Sequence, residues 1–238
     1  MNREKKILFL QGGWPGHQPE KFVQIIATAL EPHGFKAEAA LALECLEDAE
    51  RLQSMDVIFP CWTMGELNKV QGTHLQEAVR SGVALAGIHG GMGDAFRGNI
   101  DYEWMVGGHF VGHPHVGDYE VRVLRQEHPI MQGQAALFPY NSEQYYMMMD
   151  PGVTVLAETD YQHEGRKIPM PVVWIRHWGK GRVFYCSLGH DPQEFQRHPQ
   201  VLQLTVQGVL WAAGILESEK RLEAPTTLHS GSEKIYEK

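Results

Sequence analysis

The sequence predicts an α/β fold: a three-layer sandwich in which helices cover both faces of a mostly parallel central sheet. Two observations lead to this prediction. Short apolar runs alternate with longer segments of helical spacing through the first half of the chain. The short runs are apolar at almost every position, which is typical of strands buried on both faces. In such sheets ligands bind beyond the carboxyl ends of the strands, so functional residues are expected there.

The first half of the chain supplies the alternating elements. Strands are predicted at residues 5–10, 35–39, 57–61 and 83–88. Helices are predicted at residues 20–30, 46–55 and 67–80. The first helix follows Pro19, which suits a first helical turn, and it ends before Pro32 and Gly34. We therefore expect the strand exits to lie side by side, at residues 12–17, 61–65 and 89–93.

The second half of the chain has a different pattern, with alternating apolar and polar positions and a turn rich in glycine. Alternation predicts half-exposed strands, and a short glycine turn between two apolar runs predicts a β-hairpin. The predicted elements are strands at residues 118–124 and 153–158, a hairpin at 171–177 and 182–187, and a last helix at 199–213.

Composition and charge narrow the class of protein. The chain has 238 residues and a formal net charge of −8, and an acidic surface argues against nucleic acid as a partner. It contains no apolar run of about 18 residues, so no membrane span is expected. The cysteines are far apart and form no CxxC pair, which predicts a protein of the reducing cytoplasm. We expect one domain over residues 1–217 and a polar tail over residues 218–238. The sequence leaves open whether the protein forms a homo-oligomer.

The most distinctive motif is Gly87-Ile88-His89-Gly90-Gly91, at the end of a predicted strand. Glycines around one functional side chain are typical of the sharp strand-to-helix turn that lifts a nucleophile above a sheet. Such turns carry Ser or Cys, whereas here the lifted residue is a histidine. Packing alone does not explain a histidine with these neighbours, so His89 is assigned to a functional site.

Two further histidines occupy similar positions. His17 closes the loop after the first strand, and His190 follows the last predicted strand in Ser187-Leu188-Gly189-His190-Asp191. Each has an ordinary alternative: His17 could cap the helix that follows it, and His190 could pair with Asp191 in a turn. Both remain candidates because they stand where the sheet is expected to end.

The middle of the chain adds a histidine-rich stretch and a carboxylate. Residues 107–115 include His109 and His113, although a solvated histidine-rich loop is the alternative. Glu143 lies among aromatic residues, where a low dielectric would raise its pKa and make it a useful acid or base. An exposed loop glutamate is the alternative for Glu143.

Aromatic residues near these positions are candidate substrate contacts. Trp14 lies in the first loop, Trp62 follows the third strand, and Tyr145 comes two residues after Glu143. Their rings could stack on a sugar, but aromatic side chains more often fill cores, and the sequence leaves both interpretations open.

Taken together, these motifs resemble the trehalose-utilisation, ThuA-like family. The resemblance covers roughly residues 5–214, and the order and spacing of the motifs carry it, because each motif is weak alone. The matching residues are Gly87-Ile88-His89-Gly90, Gly107-Gly108-His109-Phe110 with His113-Pro114, His128-Pro129-Ile130, Ser142-Glu143-Gln144-Tyr145, Pro171-Val172-Val173-Trp174, Gly179-Lys180-Gly181-Arg182-Val183-Phe184-Tyr185 and Leu188-Gly189-His190.

The resemblance implies the fold of class I glutamine amidotransferases, a flavodoxin-like α/β sandwich. By that comparison His89 takes the position of the cysteine nucleophile, and His190 lies near that of the base. Since no cysteine stands at position 89, amidotransferase chemistry should be absent. The family's acidic pair before the tyrosine reads Ser142-Glu143 here, so one carboxylate of that motif is retained.

Histidines brought together without a cysteine favour metal binding, because imidazole is a good ligand for Zn²⁺, Mn²⁺, Fe²⁺ or Ni²⁺. We hypothesise a divalent-metal site built from His17, His89 and His190, with Glu143 as a fourth ligand or as a base. An open position on the metal would hold water or a substrate oxygen.

The resemblance also implies a small-molecule sugar as the ligand and a role in disaccharide or keto-sugar metabolism. A metal that polarises a ketone makes the adjacent C–H acidic. Glu143 would then move that proton, with His113 as a second acid–base group and His109 as a substrate contact. The expected reaction is hydrolysis, elimination or isomerisation of a 3-keto-glycoside. Two alternatives remain: a metal-hydroxide hydrolase of amides or esters, and a non-enzymatic sugar-binding or regulatory module on the same fold.

Overall fold

A nine-stranded mixed sheet dominates the computed structural model of the protein, which describes residues 3–216. The strands are β1 (Lys5–Gly13), β2 (Phe35–Ala40), β3 (Val57–Thr63), β4 (Ala84–Ile88), β5 (Gly108–Val123), β6 (Leu137–Met149), β7 (Thr154–His163), β8 (Arg166–Trp178) and β9 (Gly181–Cys186). The α-helices are α1 (Pro19–Leu30), α2 (Ala49–Gln53), α3 (Lys69–Ser81), α4 (His89–Gly93), α5 (Ile100–Val106), α6 (Glu194–Arg197) and α7 (Pro199–Ala212). The predicted C-terminal tail lies outside the described residues.

The sheet has the order β2-β1-β3-β4-β9-β8-β7-β5-β6, and its two halves differ in strand direction. The strands from β2 to β9 in this order are parallel. The remaining pairings, from β9 to β6, are antiparallel. The expectation of a mostly parallel sheet is therefore wrong, although the α/β class holds. Tight turns join β7 to β8 and β8 to β9, and such turns connect only antiparallel neighbours.

Helices cover both faces of the sheet, and each face has its own apolar core. Alternate side chains of β1 enter opposite cores, because successive strand residues point to opposite faces. Ile7 and Phe9 pack with α1 and α7 on one face. Leu8 and Leu10 pack with α3 and α5 on the other. No helix within residues 3–216 is long and apolar enough to cross a bilayer.

Most elements predicted in the first half are present, with two differences in detail. The predicted helix at residues 46–55 is divided into a 3₁₀ turn, Leu43–Glu47, and the short helix α2. Helix α3 begins later than predicted, where Asn68 and Gln71 form a capping box.

The second half differs more from its prediction. The predicted strand 118–124 is the last part of the 16-residue strand β5. The same strand also contains His109 and His113, so the histidine-rich stretch is not a loop. The predicted hairpin at residues 171–177 and 182–187 is present as β8 and β9.

Candidate metal centre

His89 stands at the sharpest point of the strand-to-helix turn. It is the first residue of α4, directly after β4, and its φ of 43° lies in the left-handed region that side chains other than glycine rarely adopt. The next residue is glycine, and a Cβ at Gly90 would lie 2.5 Å from Cε1 of His17 and displace that ring. The strained backbone thus brings the two histidines into contact, as strained residues at functional sites often do.

Hydrogen bonding fixes which nitrogen of His89 faces the site. Nδ1 lies 2.8 Å from the backbone oxygen of Ser187, an acceptor, so this nitrogen carries the proton and donates it. The opposite nitrogen, Nε2, lies 3.2 Å from Oε2 of Glu143 and 3.3 Å from Nδ1 of His190. In neutral His89 the lone pair of Nε2 would therefore face a carboxylate. A bound cation, either a proton or a metal ion, removes that repulsion.

Four side chains from separate segments form the cluster. Ligand atoms of His17, His89, Glu143 and His190 all lie within 4.8 Å of one another. His17 comes from a 3₁₀ turn after β1, and its Nδ1 lies 2.8 Å from Oγ1 of Thr63 on β3. Glu143 comes from β6, and His190 comes from the loop after β9. Three imidazoles and one carboxylate form a donor set that suits Zn²⁺ and other divalent transition metals.

The pKa values of the cluster show strong mutual coupling. Burial alone would raise the pKa of Glu143, but the close interactions with the His190 and His89 imidazoles outweigh burial and hold that pKa well below its usual range. This direction is opposite to the expectation from sequence. The hydrogen bond to Glu143 raises the pKa of His190 despite burial. Burial, together with the charges of His89 and His190, lowers the pKa of His17 to about 3.

These pKa shifts determine which side chains of the site carry a charge at neutral pH. Glu143 is an anion at neutral pH, and His17 is neutral, as a metal ligand must be. The carboxylate is therefore better suited to bind a cation than to take up a proton.

A cleft of about 160 Å³ opens beside the cluster. Its lining residues are Trp14, His17, Thr63, Met64, Asp94, Arg97, Phe110, His113, Glu143 and Tyr145. The lining combines aromatic rings with charged and polar side chains, which suits a polar small molecule. It therefore offers room for a small ligand next to the four side chains.

Three of the predicted residues border this cleft as substrate or acid–base candidates. His113 places Nε2 3.5 Å from Oε1 of Glu143, and its side chain is 43% exposed. The buried Tyr145 ring lies over His89, with 4.0 Å between ring centroids. Trp14 is exposed and stands edge-on to His17 at 4.7 Å.

The structure places the other two predicted substrate contacts elsewhere. Trp62 packs over Gly12 and Gly65, where either Cβ would lie 2.5 Å from its ring. Nδ1 of His109 lies 3.3 Å from Oε2 of Glu103, which belongs to α5. Among the described contacts, neither residue touches the cluster of four.

Sequence reasoning missed a charged pair on the cleft wall. The Asp94 carboxylate is buried and accepts two hydrogen bonds from Arg97, the second at 2.7 Å between Oδ2 and Nη2. Arg97 remains half exposed and lines the cleft. The available signal was two opposite charges three residues apart, in a segment of small and apolar residues directly after α4.

Comparisons with known proteins identify relatives of this fold. The chain matches the ThuA family, described as trehalose utilisation, over residues 6–212. A ThuA-like protein of Parabacteroides merdae has a TM-score of 0.73 and 16% identity, covering 92% of this chain and 93% of that one. A ThuA-like protein of Bacteroides uniformis has a TM-score of 0.71 and 17% identity, with 88% and 91% covered.

A more distant likeness supports the amidotransferase-like fold. The glutaminase domain of Trypanosoma brucei CTPS has a TM-score of 0.55 and 13% identity, covering 90% of this chain and 95% of that one. At such identities the likeness concerns the fold alone. No curated protein matches the chain.

Proposed function

The chain belongs to the ThuA family, and on that premise we propose that it is a metal-dependent enzyme that cleaves a 3-keto-glycoside. Membership of a trehalose-utilisation family supports a carbohydrate-related role. The metal, the keto-sugar and the cleavage reaction are parts of the proposal.

One observation carries the metal part of the proposal. Nδ1 of His89 is committed to the Ser187 carbonyl, so Nε2 is available as a ligand and faces Glu143 and His190. A histidine whose second nitrogen is held by a backbone carbonyl is the usual arrangement around bound metals. The site is preorganised in this respect before any ion enters.

A metal held by these residues would act as a Lewis acid that polarises a substrate carbonyl. The proton-transfer role then falls to His113, because Oε2 of Glu143 faces the cluster and Oε1 faces His113. A carboxylate beside an imidazole fixes the orientation of the ring. The half-exposed His113 can reach both Glu143 and a ligand in the cleft.

The proposed reaction is an elimination followed by hydration. His113 removes the proton from C2, next to the C3 ketone, and a C1–C2 double bond forms. The bond between C1 and the glycosidic oxygen breaks, and its electron pair leaves on that oxygen, which takes a proton. Water then adds across the double bond, so that the net result is hydrolysis and no oxidant or reductant is consumed.

Metal content and turnover of a synthetic 3-keto-glycoside test the proposal together. We expect about one Zn²⁺ or Mn²⁺ per chain after reconstitution, with turnover that is lost on chelation and restored by metal. His89→Ala should lose both metal and turnover. His74→Ala is the matched control, since the side chain of that half-buried histidine contacts the Leu46 carbonyl and takes part in no other hydrogen bond among the described residues. Ligand-induced stabilisation without turnover or metal would overturn the proposal and favour a sugar-binding module.

A further inference from the structure

Glu194 is a buried carboxylate beside the cluster, and the proposed chemistry does not use it. It is the first residue of α6, and it is only 2% exposed. Oε1 accepts a hydrogen bond of 2.6 Å from Ser142, and Oε2 accepts one from the Tyr140 hydroxyl. Oε2 also accepts the backbone N–H of His190 at 3.1 Å. A buried charge is retained only when such partners compensate its desolvation.

The three donors lie on two segments, β6 and the loop after β9. Each segment also carries one candidate metal ligand, Glu143 on β6 and His190 in the loop. Tyr140 and Ser142 lie on β6, on either side of Asn141, and Ser142 directly precedes Glu143. Alternate side chains of a strand point to opposite faces, so Glu194 holds β6 from one face while Glu143 extends from the other. The third donor is the backbone of His190 itself.

A second link joins the same two segments. The Tyr140 hydroxyl donates to Glu194 and accepts the backbone N–H of Gly189 at 3.1 Å. Strand β6 and the loop after β9 are therefore connected at two successive loop residues, Gly189 and His190. Besides the direct contact between Glu143 and His190, these two links pass through Glu194 and through the tyrosine that Glu194 orients.

We propose that Glu194 is a positioning residue that sets the separation of Glu143 and His190, and so the geometry of the metal centre; its effect on metal rests on the proposed function. It acts through backbone and strand positions, since its bond to His190 is made to the main-chain N–H. Residues that orient ligands in this way typically contribute 10- to 100-fold to metal affinity.

Cobalt titration of the full-length protein tests this inference. Glu194→Ala should weaken Co²⁺ binding about 10- to 100-fold and change the visible spectrum of the bound ion, which reports ligand geometry. Glu194→Gln keeps one acceptor oxygen and should restore part of the affinity. Wild-type affinity and spectrum in Glu194→Ala would overturn the inference.

Asp56 offers a matched control for general destabilisation. It is a buried carboxylate that accepts from Arg3, from Lys5 and from the backbone N–H of Lys6, at the amino end of β1 and β3. Asp56→Asn should lower the thermal midpoint and leave Co²⁺ affinity unchanged. A similar loss of affinity in this variant would show that Glu194 acts only through overall stability.

A metal-free measurement separates this inference from the proposed function. Nuclear Overhauser contacts between the His190 ring and the Glu143 side chain should be present in the wild type and lost in Glu194→Ala. If the wild type takes up no Co²⁺, the proposed function fails and these contacts alone decide the inference, with retained contacts overturning it. If Glu194→Ala does not fold, Ser142→Ala, which removes one donor, is measured in its place. Loss of the contacts between His190 and Glu143 would support the inference, and retained contacts would overturn it.

Discussion

Nε2 of His89 and Oε2 of Glu143 lie 3.2 Å apart, although His89 has already committed its other nitrogen to a backbone carbonyl. Two acceptor atoms at that distance require a positive charge between or beside them. In the metal-free protein His190, whose pKa is raised by Glu143, can supply that charge as a proton. In the proposed holoprotein a divalent ion supplies it.

Metal binding should raise the stability of the folded protein. At an ion concentration of 100 times Kd, binding adds about 2.7 kcal/mol, which corresponds to roughly 5–10 °C in the thermal midpoint of a domain of this size. Calorimetry with and without Zn²⁺ or Mn²⁺ measures the shift. The same shift in His89→Ala as in the wild type would place the ion elsewhere.

Glu143→Gln should weaken metal binding by at least about tenfold and abolish turnover. The substitution keeps the size of the side chain, but it replaces one acceptor oxygen with a donor that faces His89 and His190. Isothermal titration with metal, together with a turnover assay, separates the two effects. Wild-type values in both would remove Glu143 from the site, and Glu158→Gln, on β7, serves as the control.

His113→Ala should reduce kcat about 10²- to 10⁴-fold and leave metal content unchanged. The reason is that His113 contacts Oε1 of Glu143, on the side of the carboxylate away from the cluster. His115→Ala provides a matched control, because His115 lies two residues further along β5 and contacts only the Asp118 carbonyl among the described bonds. A kcat of the wild-type size would exclude His113 as the acid–base group.

His17 should make the metal-free protein less stable at mildly acidic pH. Burial lowers its folded-state pKa to about 3, whereas the unfolded value is about 6.5. The unfolded chain therefore binds the extra proton first, and stability falls as the pH drops below about 6.5. At pH 5 the loss is about 2 kcal/mol, at about 1.36 kcal/mol per pH unit.

Urea unfolding in the presence of a chelator, at pH 7.5 and pH 5, measures this effect. His17→Asn should lose about 2 kcal/mol less than the wild type between the two pH values. His190 contributes with the opposite sign, because its pKa is raised: its contribution is present below its unfolded pKa and is lost as the pH rises through the folded pKa. That contribution is common to both proteins. Equal losses in the two would contradict the assignment.

The parts of the site that follow buried strands could be predicted from the sequence. His17, His89 and His190 each stand a few residues after an apolar run and beside glycine, so the pattern of strand ends located them. The parallel half of the sheet was predictable for the same reason, since its strands are continuous apolar runs. Glu143 was located as a carboxylate among aromatic residues, and the family motif includes it as well.

The rest depends on contacts between distant segments, which no local pattern records. Glu194 meets Tyr140 and Ser142 only because α6 packs behind β6, more than 50 residues away in the chain. Apolar alternation predicts only the end of β5, because residues 108–117 carry several glycines and histidines, and β6 is interrupted by four consecutive polar residues, 141–144. The lowered pKa of Glu143 likewise arises from histidines on other elements rather than from its aromatic neighbours.

Strand β6 lies at the edge of the sheet, four places from β9 in the strand order, yet Glu143 meets His89 and His190. The β5–β6 ribbon must therefore curl back over the carboxyl ends of the parallel strands. An ion in the cluster would cross-link this ribbon to the parallel half of the sheet. Local unfolding of the ribbon would then be coupled to local unfolding of the parallel strands. In hydrogen exchange, chelation should then release the amides of β5 and β6 well before those of β1 and β3, whereas in the holoprotein the difference should narrow.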